Sequence, residues 1–205
     1  MNRRLAIWML ALSTTGCTQG LLESHAEAPK VYRLAAAPAA AGGESLPLAL
    51  SVARPRAASS LDTDRIAVVR GGSAFDYYAG LRWSEPAPQM LQQILVEALV
   101  GDGRFATTVA APSRVPAEYL LDVELREFAA FQAAVDTPPQ VRVQWQVTLL
   151  DARAGTRIAS FLVAATATAV ENRREALVAA FQQASQSAVS DTVARIRAAS
   201  AGLAR

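Results

Sequence analysis

Hydrophobic and polar residues follow two periods along this chain, one of two residues and one of about three and a half, and together they predict a sheet with helices. In residues 46–55, LPLALSVARP, the apolar side chains Leu46, Leu48, Leu50 and Val52 stand at alternate positions, as in a strand with one covered face. Residues 31–34, VYRL, read as a short strand before it, and 35–45, AAAPAAAGGES, as a low-complexity loop between the two. Residues 64–70, DRIAVVR, make a further strand candidate closed by Gly71 and Gly72. From 86 to 100 the period lengthens. Met90/Leu91, Ile94/Leu95 and Ala98/Leu99 share one helical stripe, while Gln89, Gln92, Gln93 and Glu97 fall largely away from it. Ser84 or Glu85 is the expected N-cap, with Pro86 near the first turn and Gly101 and Gly103 ending the helix.

The second half predicts a meander followed by a helix. Residues 105–110 return as a short strand. In 119–128, Leu121, Val123 and Leu125 alternate with Asp122, Glu124 and Arg126; in 141–149, Val141, Val143, Trp145, Val147 and Leu149 alternate with Arg142, Gln144 and Gln146. Both read as antiparallel strands with one wet face. DARAG at 151–155 supplies a hairpin loop into a third strand over 157–168. Asn172 with Glu175 resembles a capping box, and Leu177, Phe181, Ala184, Ala188, Val193 and Ile196 form a stripe on a helix of about seven turns. The fold expected is a single α/β domain with a mixed, largely antiparallel sheet covered by two main helices, over residues 31–197, with 198–205 a flexible, frayed tail.

The N-terminus changes the picture of where the chain works. In MNRRLAIWMLALSTTGCTQG two arginines precede an apolar run from Leu5 to Leu12, too short for a spanning helix, and small or polar residues lead to Cys17. Gly16-Cys17 resembles a lipobox, in which the signal is cut off before a cysteine carrying a diacylglycerol; position 14 holds threonine where the lipobox prefers leucine. Residues 1–16 are then a signal peptide and 17–30 a lipidated tether. Loss of Arg3 and Arg4 with the signal takes 20 basic against 18 acidic residues to 18 against 18. No basic block survives to track phosphates, so nucleic acid is not an expected partner. With its single cysteine lipidated the chain has no disulfide, and 52% hydrophobic residues are enough to fill an ordinary core.

The inventory for catalysis is thin. The one histidine, His25, lies in the tether and the one cysteine is the anchor, which removes Cys/His pairs, Cys/His zinc sites and a Ser/His/Asp triad. The motif GDG at 101–103 lacks the third glycine of a dinucleotide loop and follows a helix rather than a strand. Among acids, Asp62 and Asp64 flank a strand start, and Glu124 and Glu127 fall on opposite faces of an extended strand; both pairs read as solvated surface. No catalytic residue, metal ligand or cofactor is expected.

One stretch concentrates the aromatic residues. FDYYAGLRWSEPAP, residues 75–88, holds four rings in its first nine positions. In an extended strand Phe75 and Tyr77 point one way and Asp76 and Tyr78 the other, so one tyrosine of the two faces the core. Trp83 either seats the first turn of the following helix or, with the outward tyrosine, anchors a partner. Tyr77, Tyr78 and Trp83 are the candidate partner interface.

Taken in order, VYRLA after a cysteine with a lipobox, LSVARPRAASSLDTDRIAVVRG, FDYYAGLRWSEPAPQMLQQILVEALVGDGRF and YLLDVELREFAAF resemble the ABC-type transport auxiliary lipoproteins, from about residue 31 to 196. The resemblance rests on the order and spacing of an aromatic pair, a later tryptophan, a proline turn and an amphipathic helix. It implies a non-enzymatic outer-membrane lipoprotein facing the periplasm, with a mixed sheet and helices on its faces. It also implies an auxiliary or scaffold part in an ABC/MCE-type intermembrane lipid transport system. The partners implied are an MCE-type periplasmic or inner-membrane protein, its ABC transporter and the outer membrane through the lipid; a homo-oligomer is left open. Thr18 after the cysteine, rather than aspartate, is similar to lipoproteins sorted to the outer membrane. Two other readings stay open: an assembly or stabilising factor for another envelope complex, and an enzyme acting on lipid or peptidoglycan with Glu124 and Glu127 as its acids.

Overall fold

The computed structural model of the chain describes residues 28–36 and 45–204. The expected signal peptide, Cys17, Thr18 and His25 lie outside the described residues. The described residues form nine strands and two helices: β1 (Lys30–Tyr32), β2 (Leu46–Val52), β3 (Arg56–Ala57), β4 (Arg65–Arg70), β5 (Ala74–Trp83), α1 (Ala87–Asp102), β6 (Phe105–Ala110), β7 (Tyr119–Gln132), β8 (Gln140–Asp151), β9 (Arg157–Thr168) and α2 (Arg174–Ser200).

Strand β7 organises the sheet. Along one side it pairs antiparallel with β8, and β8 with β9, in the two longest ladders of the fold. Along its other side three strands follow one another, all parallel to it: β2 against 119–121, β3 against 124–125 and β4 against 130–132. Outside these, β6 runs parallel to β2, β5 antiparallel to β4, and β1 parallel to β5. The sheet is mixed and open, its long antiparallel part formed by the strands whose period-two pattern is cleanest.

Both helices lie on one face. The inward residues Val141, Val143, Trp145, Val147 and Leu149 of β8 are all buried, and α2 covers them. Trp145 donates its indole N–H to Thr192 Oγ1 of α2 at 3.0 Å, so this large ring is buried without leaving a polar atom unmet. α1 packs against β6 and β2 and touches α2 alongside. Among the described residues the second face of the sheet carries no helix, and Arg142, Gln144 and Gln146 look out from it.

A bulge in β7 changes which residues look in. Leu125 pairs with Trp145 and Glu127 with Gln144, so Arg126 is an extra residue in the ladder. Before it Leu121, Val123 and Leu125 face the helices, and after it Phe128 and Ala130 do. The same bulge places Glu124 and Glu127 opposite Gln146 and Gln144, on one face instead of the two that strict alternation predicts.

Several polar residues hold the helices, and their roles are invisible to periodicity. Gln92, expected off the apolar stripe, is buried, and its amide donates to the carbonyls of Val52 and Ala111, both at 2.9 Å, where the neighbouring strands β2 and β6 finish. Asp102 at the end of α1 accepts from Arg197 of α2, with Nε at 3.0 Å, while Arg104 donates to the Ser200 hydroxyl and carbonyl at 2.9 and 3.1 Å. This clasp corrects the frayed tail expected from 198 onward: α2 continues to Ser200, which is fully buried, and a 3-10 turn, Ala201–Ala204, follows. The helix starts also differ. Neither Ser84 nor Glu85 caps α1, which begins after Pro86, and Glu85 instead accepts from Gln93 at 2.7 Å. Gly103, at φ 69, ends α1 in the left-handed conformation that glycine adopts freely.

Candidate functional site

The aromatic stretch forms β5 and the joint into α1. Gly71 and Gly72, both at positive φ, make the turn from β4, so Phe75 comes to lie opposite Val69 and Tyr77 opposite Ala67. Val69 in turn lies opposite Phe131, and Phe131 opposite Gln140, whose neighbours Arg142 and Gln144 mark the helix-free face. Phe75, Tyr77 and Phe131 therefore share that face. Asp76 lies opposite Val68, which is buried on the helix side, and Tyr78 follows the same alternation as Asp76 once Tyr77 is placed.

Both tyrosines are half-buried and pack against the core, but from opposite faces of the strand. Tyr77 stands on the helix-free face, its ring in edge-to-face contact with Phe75 at 5.5 Å and covered by the Arg65 guanidinium at 3.7 Å. Its hydroxyl donates to the Ser60 carbonyl at 3.0 Å. A second guanidinium, that of Arg142, sits 4.1 Å above the Phe131 ring. Phe75 is 45% exposed, and with the half-buried Tyr77 and Phe131 and the exposed Arg65 and Arg142 it makes a patch of three rings and two cations. Tyr78 is half-buried against the core, and its hydroxyl has no hydrogen-bond partner among the described residues. Burial raises its pKa above the ordinary tyrosine value, against a smaller opposing pull from Arg70.

Charges around the strand are locally paired. Asp76 accepts from the Tyr77 N–H and from Arg70, both at 2.7 Å, and these bonds hold its carboxyl below the usual range. Arg82 reaches both oxygens of Asp64 at 2.9 and 2.8 Å, and Arg54 holds the Asp62 carboxyl below its usual value through a direct hydrogen bond. Of the acids weighed as catalytic candidates, Asp62 and Asp64 stand in separate ion pairs, and Glu124, which shares its face with Glu127, pairs with Arg126 at 3.3 Å. Among the described residues no group of three or more His, Cys, Asp and Glu side chains is placed to hold a metal ion.

Trp83, the third residue of the candidate interface, does not reach the surface. It is 2% exposed, with its ring 5.1 Å from Phe181 of α2 and 5.9 Å from Phe128 of β7. The reason is positional: Leu81 and Trp83 pass between β1 and β4 beneath the helices, whereas residues 74–79 extend beyond β1. Between the two parts β5 gains extra residues around Gly80, whose φ is +69, and the pairing jumps from Tyr77–Ala67 to Arg82–Arg65.

Single hydroxyl deletions separate the two tyrosines. Tyr77→Phe is expected to cost about 1 kcal/mol of stability, the usual net worth of one hydrogen bond, while Tyr78→Phe is neutral or stabilising because it removes an unmet buried hydroxyl. Denaturant unfolding of both variants checks this, and equal losses would contradict it.

At the end of the sheet where β4, β7 and β9 finish, a second arrangement escaped the sequence reading. Gln132, buried in β7, donates its amide to the carbonyls of Val135 and Thr137 and to Asn172 Oδ1, and Asn172 donates to the Val135 carbonyl at 2.7 Å. The Asn172 side chain is thus spent on tying the 133–139 loop to the 169–173 loop and does not cap α2 as its spacing from Glu175 suggests; the residue preceding α2 is Arg173, with no side-chain cap. No sequence signal marks this brace, because its partners are 37 to 40 residues apart.

A family model described as ABC-type transport auxiliary lipoprotein component matches residues 32–194. Among solved structures, protein XCC0632 from Xanthomonas campestris is 25% identical and superposes with a TM-score of 0.72, over 85% of this chain and 95% of that one. An uncharacterized protein of 14% identity superposes with a TM-score of 0.61, over 83% of this chain and 99% of that one, and shows the shared fold. No curated protein matches the chain. Among the described residues no helix is long and apolar enough to cross a membrane.

Proposed function

Since the chain belongs to the ABC-type transport auxiliary lipoprotein component family, we propose that it is a non-enzymatic scaffold component of an envelope transport system of the MCE type, which moves lipid between membranes. It is held to the outer membrane by lipid on Cys17, faces the periplasm, and binds a periplasmic MCE component of the system. The match over residues 32–194 carries this reading, because it takes in all of the sheet from the end of β1 and most of α2. The absence of a second histidine or cysteine from the sequence supports a binding role.

Within this reading the helix-free face near the β4–β5 turn supplies the protein-facing surface. Phe75 and Tyr77 contribute aromatic area, Arg65 and Arg142 contribute charge above the rings, and Trp83 and Tyr78 support the strand from the helix side.

Affinity capture of the membrane-anchored protein tests the assignment: an MCE-type protein and its ABC transporter are expected among the captured partners, and their absence would count against it. Cys17→Ser is expected to release the protein into the soluble periplasmic fraction, since loss of the acyl chains removes roughly 0.8 kcal/mol of membrane affinity per methylene. Unchanged attachment would refute the anchor.

A further inference from the structure

The anchor reading leaves open how the folded domain sits on the lipid, and the geometry bears on this. The end of the sheet where β4, β7 and β9 finish is also where β5, β8 and α2 begin. The first strand starts on that side. β1 runs parallel to β5, so Lys30 is its end nearer Ala74, and Lys30 Nζ lies 3.9 Å from Glu175 in the first turn of α2. Further in, Ala35 exchanges hydrogen bonds with the Gln182 amide at 2.9 and 2.7 Å, which confirms the direction of travel along the helix.

Two loops project from this end and each carries a valine to its surface. Val135 in the 133–139 loop is 78% exposed and Val170 in the 169–173 loop is 89% exposed, the highest values for large apolar residues among the described ones. Single exposed valines are ordinary on a protein surface. These two differ because Gln132 and Asn172 tie their loops to one another, so they are presented together, at the end on whose side β1 starts. At the opposite end the turn between β8 and β9 reads DARAGT, with no large apolar residue, and the adjoining 111–118 loop carries Val115, 45% exposed, well below Val135 and Val170. Charges beside the valines are balanced, with Glu171 paired to Arg173 at 3.2 Å and Asp136 and Arg174 nearby in sequence. Apolar contact, and not attraction to anionic headgroups, is what this end offers.

We propose that the braced loops bearing Val135 and Val170 rest in the interfacial layer of the bilayer that holds the lipid on Cys17, so that the strands stand toward the membrane and the helix-free face is turned sideways to it. The proposal rests on the anchor reading. Thirteen residues from Cys17 to Lys30 span at most about 45 Å, a leash that permits this contact without enforcing it, so the contact is separately testable.

In the lipidated full-length protein Cys17 is the only cysteine and is blocked. Val135→Cys, Val170→Cys and, as a reference at the opposite end, Ala154→Cys each receive an environment-sensitive fluorophore, and the proteins are reconstituted into phosphatidylcholine/phosphatidylglycerol vesicles with brominated acyl chains. Labels at 135 and 170 are expected to shift to the blue and to be quenched strongly, while the label at 154 keeps its emission. Removing phosphatidylglycerol or adding salt should leave the quenching unchanged. Protein that floats with the vesicles while all three labels stay solvent-exposed overturns the loop contact and leaves the anchor standing. Failure to float overturns the anchor and the contact with it. A blue shift at 135 or 170 in Cys17→Ser protein without vesicles, growing with protein concentration, would mark those loops as a contact between copies and overturn the lipid assignment.

Discussion

Replacing Trp83 with alanine is expected to lower the free energy of unfolding by about 3–5 kcal/mol, the range for truncating a large buried aromatic side chain. The midpoint of thermal unfolding should fall by roughly 6–20 °C for a domain of this size. Trp83 joins three elements at once. It ends β5, touches Phe128 just beyond the β7 bulge and meets Phe181 of α2, which lies 5.2 Å from Phe128. Truncation therefore leaves a cavity whose walls belong to a strand, a neighbouring strand and a helix, and such walls collapse poorly. Trp83→Phe keeps one ring of the cluster and should cost less than half as much. The experiment also decides a functional question, because a surface anchor would show the opposite pattern. Trp83→Ala that unfolds like the unaltered protein but no longer captures a partner would place the tryptophan at the interface, contrary to its position between Phe128 and Phe181.

The second large effect is expected from Arg197→Ala, at about 3 kcal/mol, measured by denaturant unfolding. Its guanidinium bonds both the side chain and the carbonyl of Asp102, the last residue of α1. Without it the carboxylate remains 8% exposed at the C-terminal end of a helix, where the backbone dipole already opposes negative charge. Asp102→Asn in the Arg197→Ala background should recover part of the loss, since the amide carries no charge to strand. Asp102→Ala alone is expected to cost less than Arg197→Ala, because the arginine side chain is 30% exposed and can turn to water. A loss below about 1 kcal/mol for Arg197→Ala would show that the two helix ends are held by their apolar contacts without help from the clasp.

How much of this was legible depends on the range of the interaction concerned. The strands over 141–149 and 157–168 were readable because each side chain's fate follows from its parity, and Trp145 falls inward with Val143 and Val147. α1 was readable from the stripe through Leu91, Leu95 and Leu99, all buried. Gln92 was misread: its polarity argues for water, while the carbonyls of Val52 and Ala111 that require its amide are 40 and 19 residues distant. The paired facing of Glu124 and Glu127 was misread for a related reason, since the extra residue at Arg126 shifts parity and nothing in ELREF announces a bulge. Within the aromatic stretch, alternation places Tyr77 and Tyr78 on opposite faces, as the pairing with β4 has them, whereas the burial of Trp83 depends on Phe128 and Phe181, distant in the chain.

The sequence by itself determined the class of this protein. Alternation and helical stripes set out a sheet with two helices, and the order of motifs from VYRLA to YLLDVELREFAAF carries the family that the match over residues 32–194 shows. These properties are local or compositional, so no neighbour is needed to express them. Only the tertiary structure decided that both helices share one face, that Tyr77 and not Tyr78 lies on the helix-free face, that Ser200 is buried under Arg104, and that Val135 and Val170 project together from the end where β5, β8 and α2 begin. Each of these depends on groups far apart in the chain meeting with particular geometry. A polar group buried in the fold must find its partner wherever the backbone brings one, and the residue pattern along the chain does not record where that is.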